Sequence, residues 1–218
     1  MTGRFSLLDL FYPRRCVFCG HVLDKNVLEG VCPDCAASLP RTGSGWRTKG
    51  EFFDYCVSPF YYEGLAAEAV KALKFRGRSG AGRRLGKLLA PCVRDRAGDW
   101  DLICYVPLSR RRERERGYCQ TRLLAEAAAK ELGRPCVPAL KKTRHTPPNS
   151  GLRGLAARRA NVSGAFTVVK REAVSGRNVL LIDDVITTGA TLGECARVLR
   201  MAGANRVVCA TLCKVKKK

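Results

Sequence analysis

The stretch "VLLIDDVITTGATL", Val179 to Leu192, decides how this chain is read. Its aliphatic start predicts a strand buried on both faces, as in a parallel sheet. Two acids then stand side by side, Asp183 and Asp184, although buried strands rarely end in adjacent carboxylates. "TTGAT" follows, just ahead of a helical pattern. A turn of small residues leaves backbone N–H groups uncovered, and a helix N-terminus adds unpaired donors and a positive dipole end. With the hydroxyls of Thr187, Thr188 and Thr191, and with Gly189 and Ala190 between them, this makes an anion cradle sized for a monophosphate. The acids are badly placed for a phosphate and well placed for hydroxyls beside it. A sugar phosphate meets both demands. Helix capping alone would explain one acid but not the composite. No GxxxxGK[ST] occurs, and no GxGxxG follows a strand, so the triphosphate P-loop and the dinucleotide fingerprint are excluded.

Outward from this strand, strands and helices alternate. Asp101–Leu108 is predicted as a strand. Gln120–Leu132 is predicted as a helix, stopped by Gly133 and Pro135. Pro135–Lys142 is a short strand broken by Pro138, Thr191–Ala204 a helix, and Arg206–Val215 a last buried strand. Upstream, "FFDYCVSPFYYEG" predicts an edge strand or hairpin. Leu65–Phe75 predicts a helix with Ala66, Ala69, Val70 and Leu73 on one face and Glu68, Lys71 and Lys74 outside it. A second helix is predicted over Ala81–Arg94. The expectation is an α/β domain, a parallel sheet flanked by helices, over residues 51–218. Ligands in such a sheet sit beyond the C-terminal strand ends, where Asp183 and Asp184 lie.

Cys16-x-x-Cys19 and Cys32-x-x-Cys35 are two matched pairs that converge into a tetrahedral sulfur site. Zinc suits four thiolates. With no position left open the metal is expected to be structural. His21 is read as an exposed loop residue, and the other eight cysteines as packing residues. The expected knuckle spans residues 1–42, and the polar, Gly-rich residues 43–50 read as a linker.

Forty Lys and Arg against nineteen Asp and Glu give a formal charge of +21. That favours anionic partners, whether nucleic acid, phosphorylated metabolites or an anionic membrane face. A generally basic proteome is the other explanation. No apolar run approaches the ~18 residues of a membrane span. The start lacks the pattern of a signal peptide, so the expected location is cytoplasmic.

"LLIDDVITTGATL" resembles the phosphoribosyl pyrophosphate (PRPP) motif of type I phosphoribosyltransferases. With a Cys-pair knuckle ahead of it, the chain resembles the ComF family of competence-linked proteins. "YVPLSRRRERERGYCQ" and "TRHTPPNSGLRGLAARRANVSGAF" are similar to two further family segments. The resemblance implies a phosphoribosyltransferase-like fold that binds PRPP with Mg²⁺ and transfers phosphoribosyl to a nitrogenous nucleophile. It implies that Asp183 and Asp184 hold the ribose hydroxyls and that Thr187–Thr191 hold the 5′-phosphate. Pro107, Leu108, Ser109 and Arg110 would form a pyrophosphate loop. A mobile loop from Arg144 to Asn161, with Asn149 and Arg159, would close the site, and Arg116 would be an anion contact. His145 is a weak candidate for a general acid. Two departures, Cys119 for Asn and Asn149 for Gln, bear on nucleophile recognition. The alternative is a non-catalytic accessory of DNA uptake that uses the pocket as a ligand sensor. Single-stranded DNA and DNA-uptake proteins are then the expected partners, with DNA contacts from Lys216–Lys218, Arg14 and Arg15.

Overall fold

A computed structural model describes residues 13–24, 27, 30–75, 79–147, 151–152 and 154–216. Asn149, Lys217 and Lys218 lie outside the described residues. In chain order the elements are α1 (Pro33–Ser38), β1 (Arg47–Thr48), β2 (Cys56–Val57), β3 (Phe60–Tyr61), α2 (Gly64–Phe75) and α3 (Ser79–Arg96). There follow β4 (Leu102–Tyr105), α4 (Arg110–Arg116), α5 (Gln120–Leu132), β5 (Leu140–Lys142), α6 (Leu155–Val162) and β6 (Phe166–Val168). The chain continues through α7 (Arg171–Val174), β7 (Asn178–Ile186), α8 (Ala190–Met201) and β8 (Arg206–Lys214).

The main sheet runs β1-β2-β8-β7-β4, with β3 also on β8. All pairings are parallel except β1 with β2. The aromatic stretch after Phe52 is therefore neither a hairpin nor one strand. Ser58 and Pro59 interrupt it, and its two halves each lie along β8. Residues 43–50 are not a free tether: a 3-10 turn leads into β1, which pairs antiparallel with β2.

Strand β7 is the centre, and its alternation defines two cores. Leu180 and Ile182 join Ile103, Val208 and Leu212 under helices α2, α3 and α5. Val179 and Leu181 join Cys104, Val207 and Cys209 under α8 and the β5–β6 ribbon. Burying each such aliphatic side chain contributes roughly 2 kcal/mol, so both faces are strongly held. On the first face α3 lies directly on α5: a Cβ at Gly86 would stand 2.4 Å from the Leu124 carbonyl oxygen.

The β5–β6 ribbon is a separate antiparallel sheet. The break expected at Pro138 is real. Residues 135–137 run along β4 through an isolated bridge at Cys136, and beyond Pro138 the chain leaves the sheet for the ribbon. The knuckle's Val17, Leu23, Val31 and Leu39 belong to the same core as Leu73 and Leu85. Phe18 packs edge-on against Phe60 with ring centroids 6.4 Å apart. Outside the knuckle the cysteines pack as expected. Cys56, Cys104 and Cys213 are fully buried, and that burial pushes each thiol up to about 12. Among the described residues no helix is long and apolar enough to cross a membrane.

Candidate functional site

The four knuckle thiols lie within 4.8 Å of one another. Cys19 Sγ and Cys32 Sγ are 3.7 Å apart. Tetrahedral Zn–S bonds of about 2.3 Å put sulfurs about 3.8 Å apart, so the set fits zinc and is far too open for a disulfide. Backbone N–H groups of His21 and Cys32 donate to Cys19 Sγ and Cys16 Sγ, both at 3.4 Å. Burial raises the Cys16 thiol, but backbone donors from Cys19, Cys32 and Phe18 outweigh it and lower it to about 6. Cys35, on the first turn-and-a-half of α1, is buried beside it. His21 is exposed, as expected.

At the C-terminal end of β7 a cavity of about 670 Å³ opens. Its floor is the segment Asp183–Leu192, so both acids, Thr187, Thr188, Gly189, Ala190 and Thr191 share one site. Gly189 caps α8 at φ 81°, a left-handed turn that disfavours a side chain. Thr187 and Thr188 are exposed at that turn. The uncovered helix start and these hydroxyls make the donor-rich end of the cavity.

The two acids differ because neighbouring residues on a strand point to opposite faces. Asp184 faces α2 and α5 and is 5% exposed. Its Oδ1 lies 2.8 Å from Lys74 Nζ, and its Oδ2 accepts from Gln120 Nε2 at 2.9 Å. Arg116 donates to Gln120 Oε1, which completes a chain Arg116–Gln120–Asp184–Lys74. Burial opposes the charge on Lys74, but Asp184 outweighs it and raises the ammonium above its ordinary value. Asp183 is half-buried and faces the other way. Its Oδ1 accepts the Asp184 backbone N–H at 2.8 Å. Burial first, and Asp184 second, push its carboxyl up to about 7.

Pro107, Leu108 and Arg116 line the cavity. Ser109 is buried and caps α4, accepting from Arg112 N at 3.4 Å. It also meets His145 Nδ1 at 3.0 Å. Arg110 is exposed on the first turn of α4 and does not line the cavity. Arg144 donates to the Ser163 carbonyl at 2.8 Å and ties the ribbon's connection together. Arg159 pairs with Glu51 at 2.6 Å beside a second cavity, behind the Gly189 turn. Neither Arg144 nor Arg159 reaches the main cavity. Cys119 is buried at the N-cap of α5 with its Sγ 3.1 Å from Thr121 Oγ1. It does not line the cavity either, so its exchange for Asn touches helix packing rather than the wall.

Lys74, Arg112, Gln120, Lys142, Thr146 and Phe166 are cavity residues that the sequence pattern did not single out. The helical pattern of the sequence puts Lys74 on the outer face of α2, and the structure does not. Lys74 falls four residues after Val70 and continues the buried Ala66–Val70 row to the sheet tip, where a charge finds Asp184. Gln120 closes the quoted "RGYCQ", which was the available signal. The cavity thus offers cations, two strand-tip carboxylates of different character, the exposed Glu115 and a helix start, a combination suited to a polyanion that also carries hydroxyls.

A parallel sheet ending in this turn is the phosphoribosyltransferase-like class, and residues 122–218 match the phosphoribosyl transferase domain family. Residues 7–53 match the double zinc ribbon domain. Competence protein F of Haemophilus influenzae is 31% identical over 90% of this chain and 95% of its own length. The DNA utilization protein YhgH of Escherichia coli O157:H7 is 35% identical over 84% of each chain. Competence protein ComFC of Bacillus subtilis is 28% identical over 86% of this chain and 72% of its own. The chain belongs to the ComF family, with competence protein F and YhgH among its relatives.

Proposed function

We propose that the chain binds PRPP with Mg²⁺ at the β7 tip and transfers phosphoribosyl to a nitrogenous nucleophile, in the service of DNA uptake. The observation that carries this is the joining, in one cavity, of the Thr187–Thr191 turn with the two strand-tip carboxylates, Lys74 and Arg116. The 5′-phosphate takes the Thr turn and the helix start. Asp183, with one oxygen clear of protein donors among the described residues, accepts from the ribose hydroxyls. Asp184 is already engaged on both oxygens and chiefly fixes Lys74 and Gln120. Its contribution to the ribose is thus smaller than the resemblance implied. Asp183 offers a hard oxygen ligand suited to Mg²⁺, which when bound with PRPP would neutralise charge on the departing pyrophosphate. Asp183 also favours the positive charge that develops on the ribose, and Lys74 and Arg116 hold the pyrophosphate. The names of the relatives, competence and DNA utilization, support the biological setting.

The test is PRPP titration with Mg²⁺ by calorimetry, followed by pyrophosphate release in the presence of bases and amines. Saturable PRPP binding that is lost in Asp183→Asn is expected. Absent binding in the wild type refutes the reading.

A second reading, a nucleic-acid-binding accessory that senses PRPP, is favoured by basic residues interleaved with aromatics at the β1–β2 edge. Arg47 lies 4.2 Å from the Tyr55 ring centroid, Arg96 5.6 Å from Trp46 and Lys216 4.8 Å from Tyr61. Of the DNA contacts expected from sequence, Lys216 pairs with Glu63 at 3.3 Å and Arg15 donates to the Gly20 carbonyl at 3.3 Å. Single-stranded DNA binding whose log K falls with log salt by about 0.7 per phosphate contact, without pyrophosphate release, supports this reading.

A further inference from the structure

Lys142 and Arg112 enter the cavity on the Asp183 side of β7. Lys142 Nζ donates to Thr146 Oγ1 at 2.8 Å, and Arg112 Nη2 donates to the Thr146 carbonyl at 2.8 Å. Thr146 is 1% exposed, so one buried residue fixes both cations. Neither has a carboxylate oxygen within 4 Å among the described residues, whereas Lys74 has Asp184; Asp183 acts on Lys142 and Glu115 on Arg112 only through space. Burial first, then Arg112, lowers the Lys142 ammonium; burial first, then Arg116, lowers the Arg112 guanidinium. Two partly buried like charges, with Asp183 and Glu115 acting on them only through space, gain from an anion that bonds to both directly. Beside them Phe166 and Val162 line the cavity, and Lys142 Nζ is 5.2 Å from the Phe166 ring centroid. The wall therefore combines an apolar surface with a charged rim.

We propose that Lys142, with Arg112, is the anion-recognition point for the second substrate, and that the acceptor is a small planar nitrogen heterocycle carrying a carboxylate. This rests on the phosphoribosyl-transfer reading. Displacement at C1 of ribose brings the entering and leaving groups to opposite sides. The cavity has cations on both sides of the strand tip, Lys74 and Arg116 by Asp184, Lys142 by Asp183. One side suits the departing pyrophosphate and the other an acidic acceptor. The ring-nitrogen lone pair forms the bond to C1 as the C1–oxygen bond breaks. The electron pair departs on pyrophosphate, and a ring N–H proton, where the acid has one, goes to water.

The experiment uses the full chain with PRPP and Mg²⁺. Pyrophosphate release is measured with quinolinate, nicotinate and orotate, and in parallel with adenine, hypoxanthine and uracil. PRPP affinity is measured separately by calorimetry without acceptor. At least one acid should raise release tenfold or more over the neutral bases. Lys142→Gln should raise KM for that acid tenfold or more while PRPP affinity stays within twofold, and Lys142→Arg should recover most of the loss. Preference for a neutral base overturns the proposal. So does a Lys142→Gln variant that weakens PRPP itself, because the anion is then the pyrophosphate. If no probe is turned over, calorimetry of the three acids on the PRPP-loaded protein decides, and absence of binding overturns the proposal. Failure to bind PRPP at all strikes the underlying reading, and is distinguished by the calorimetry.

Discussion

The two acids at the tip of β7 are neighbours in sequence and opposites in circumstance. Asp184 is nearly buried, paired with a lysine and held by a glutamine that an arginine holds in turn. Asp183 takes one backbone N–H and otherwise faces a cavity whose nearest basic residues, Lys142 and Arg112, form no ion pair within 4 Å among the described residues. One side is assembled before any ligand arrives, and the other is left for the ligand to complete. A strand's period of two is enough to produce this division, because it sends adjacent residues to different layers. Pre-ordered groups lose little entropy on binding, so the Asp184 side suits positioning, while cations without a close ion pair on the Asp183 side suit recognition.

The largest effect should come from the knuckle, which backs the Asp184 side. One zinc per chain is expected by metal analysis, and Cys32→Ser should lose it. Because knuckle residues share the core of Leu73 and Leu85, thermal unfolding should shift downward for the whole chain. A zinc-free variant of unchanged stability would separate the knuckle from that core. Next, Lys74→Met leaves Asp184 buried and unpaired, at a cost of about 3 kcal/mol by denaturant unfolding, while Lys142→Met should cost under about 1 kcal/mol. Equal losses would erase the contrast between the sides.

A pH titration sharpens it further. Asp183 is raised in the folded state to about 7, so its contribution to stability is fully present at low pH and is lost as pH rises toward that value. Stability should fall between pH ~4 and ~7, and this slope should be missing in Asp183→Asn. Ligand binding that needs the carboxylate runs the other way and should strengthen through pH ~7 in the wild type alone. The smallest effect is expected from Cys119→Asn, which should move stability by no more than about 1 kcal/mol through the α5 cap and leave PRPP affinity unchanged. A change in acceptor choice there would reinstate Cys119 as part of the recognition surface.

Much of the site was readable because it is local. The strand, the acids and the Thr-Gly turn occupy one continuous run, and the helix Gln120–Leu132 has the bounds its periodicity predicts. The cysteine pairs carry their own geometry. What escaped is contributed by remote segments. Lys74 comes from a helix more than a hundred residues before its partner, and helical periodicity alone placed it in solvent. Lys142 sits on a ribbon that leaves the main sheet after Pro138, a departure no local pattern announces. Residues 43–50 look like a linker by composition, yet β1 pairs with β2, since a short antiparallel edge demands little of its side chains.

The contact of Gly86 with Leu124 makes the spacing of two helices a setting of the binding site. Helix α5 begins at Gln120, and that residue grips Asp184 from its first turn. A methyl at position 86 would have to displace backbone, not a flexible side chain, and so would shift α5 along its length. On the proposed reading, PRPP affinity would then respond to a single methyl on the far side of a helix, away from the cavity.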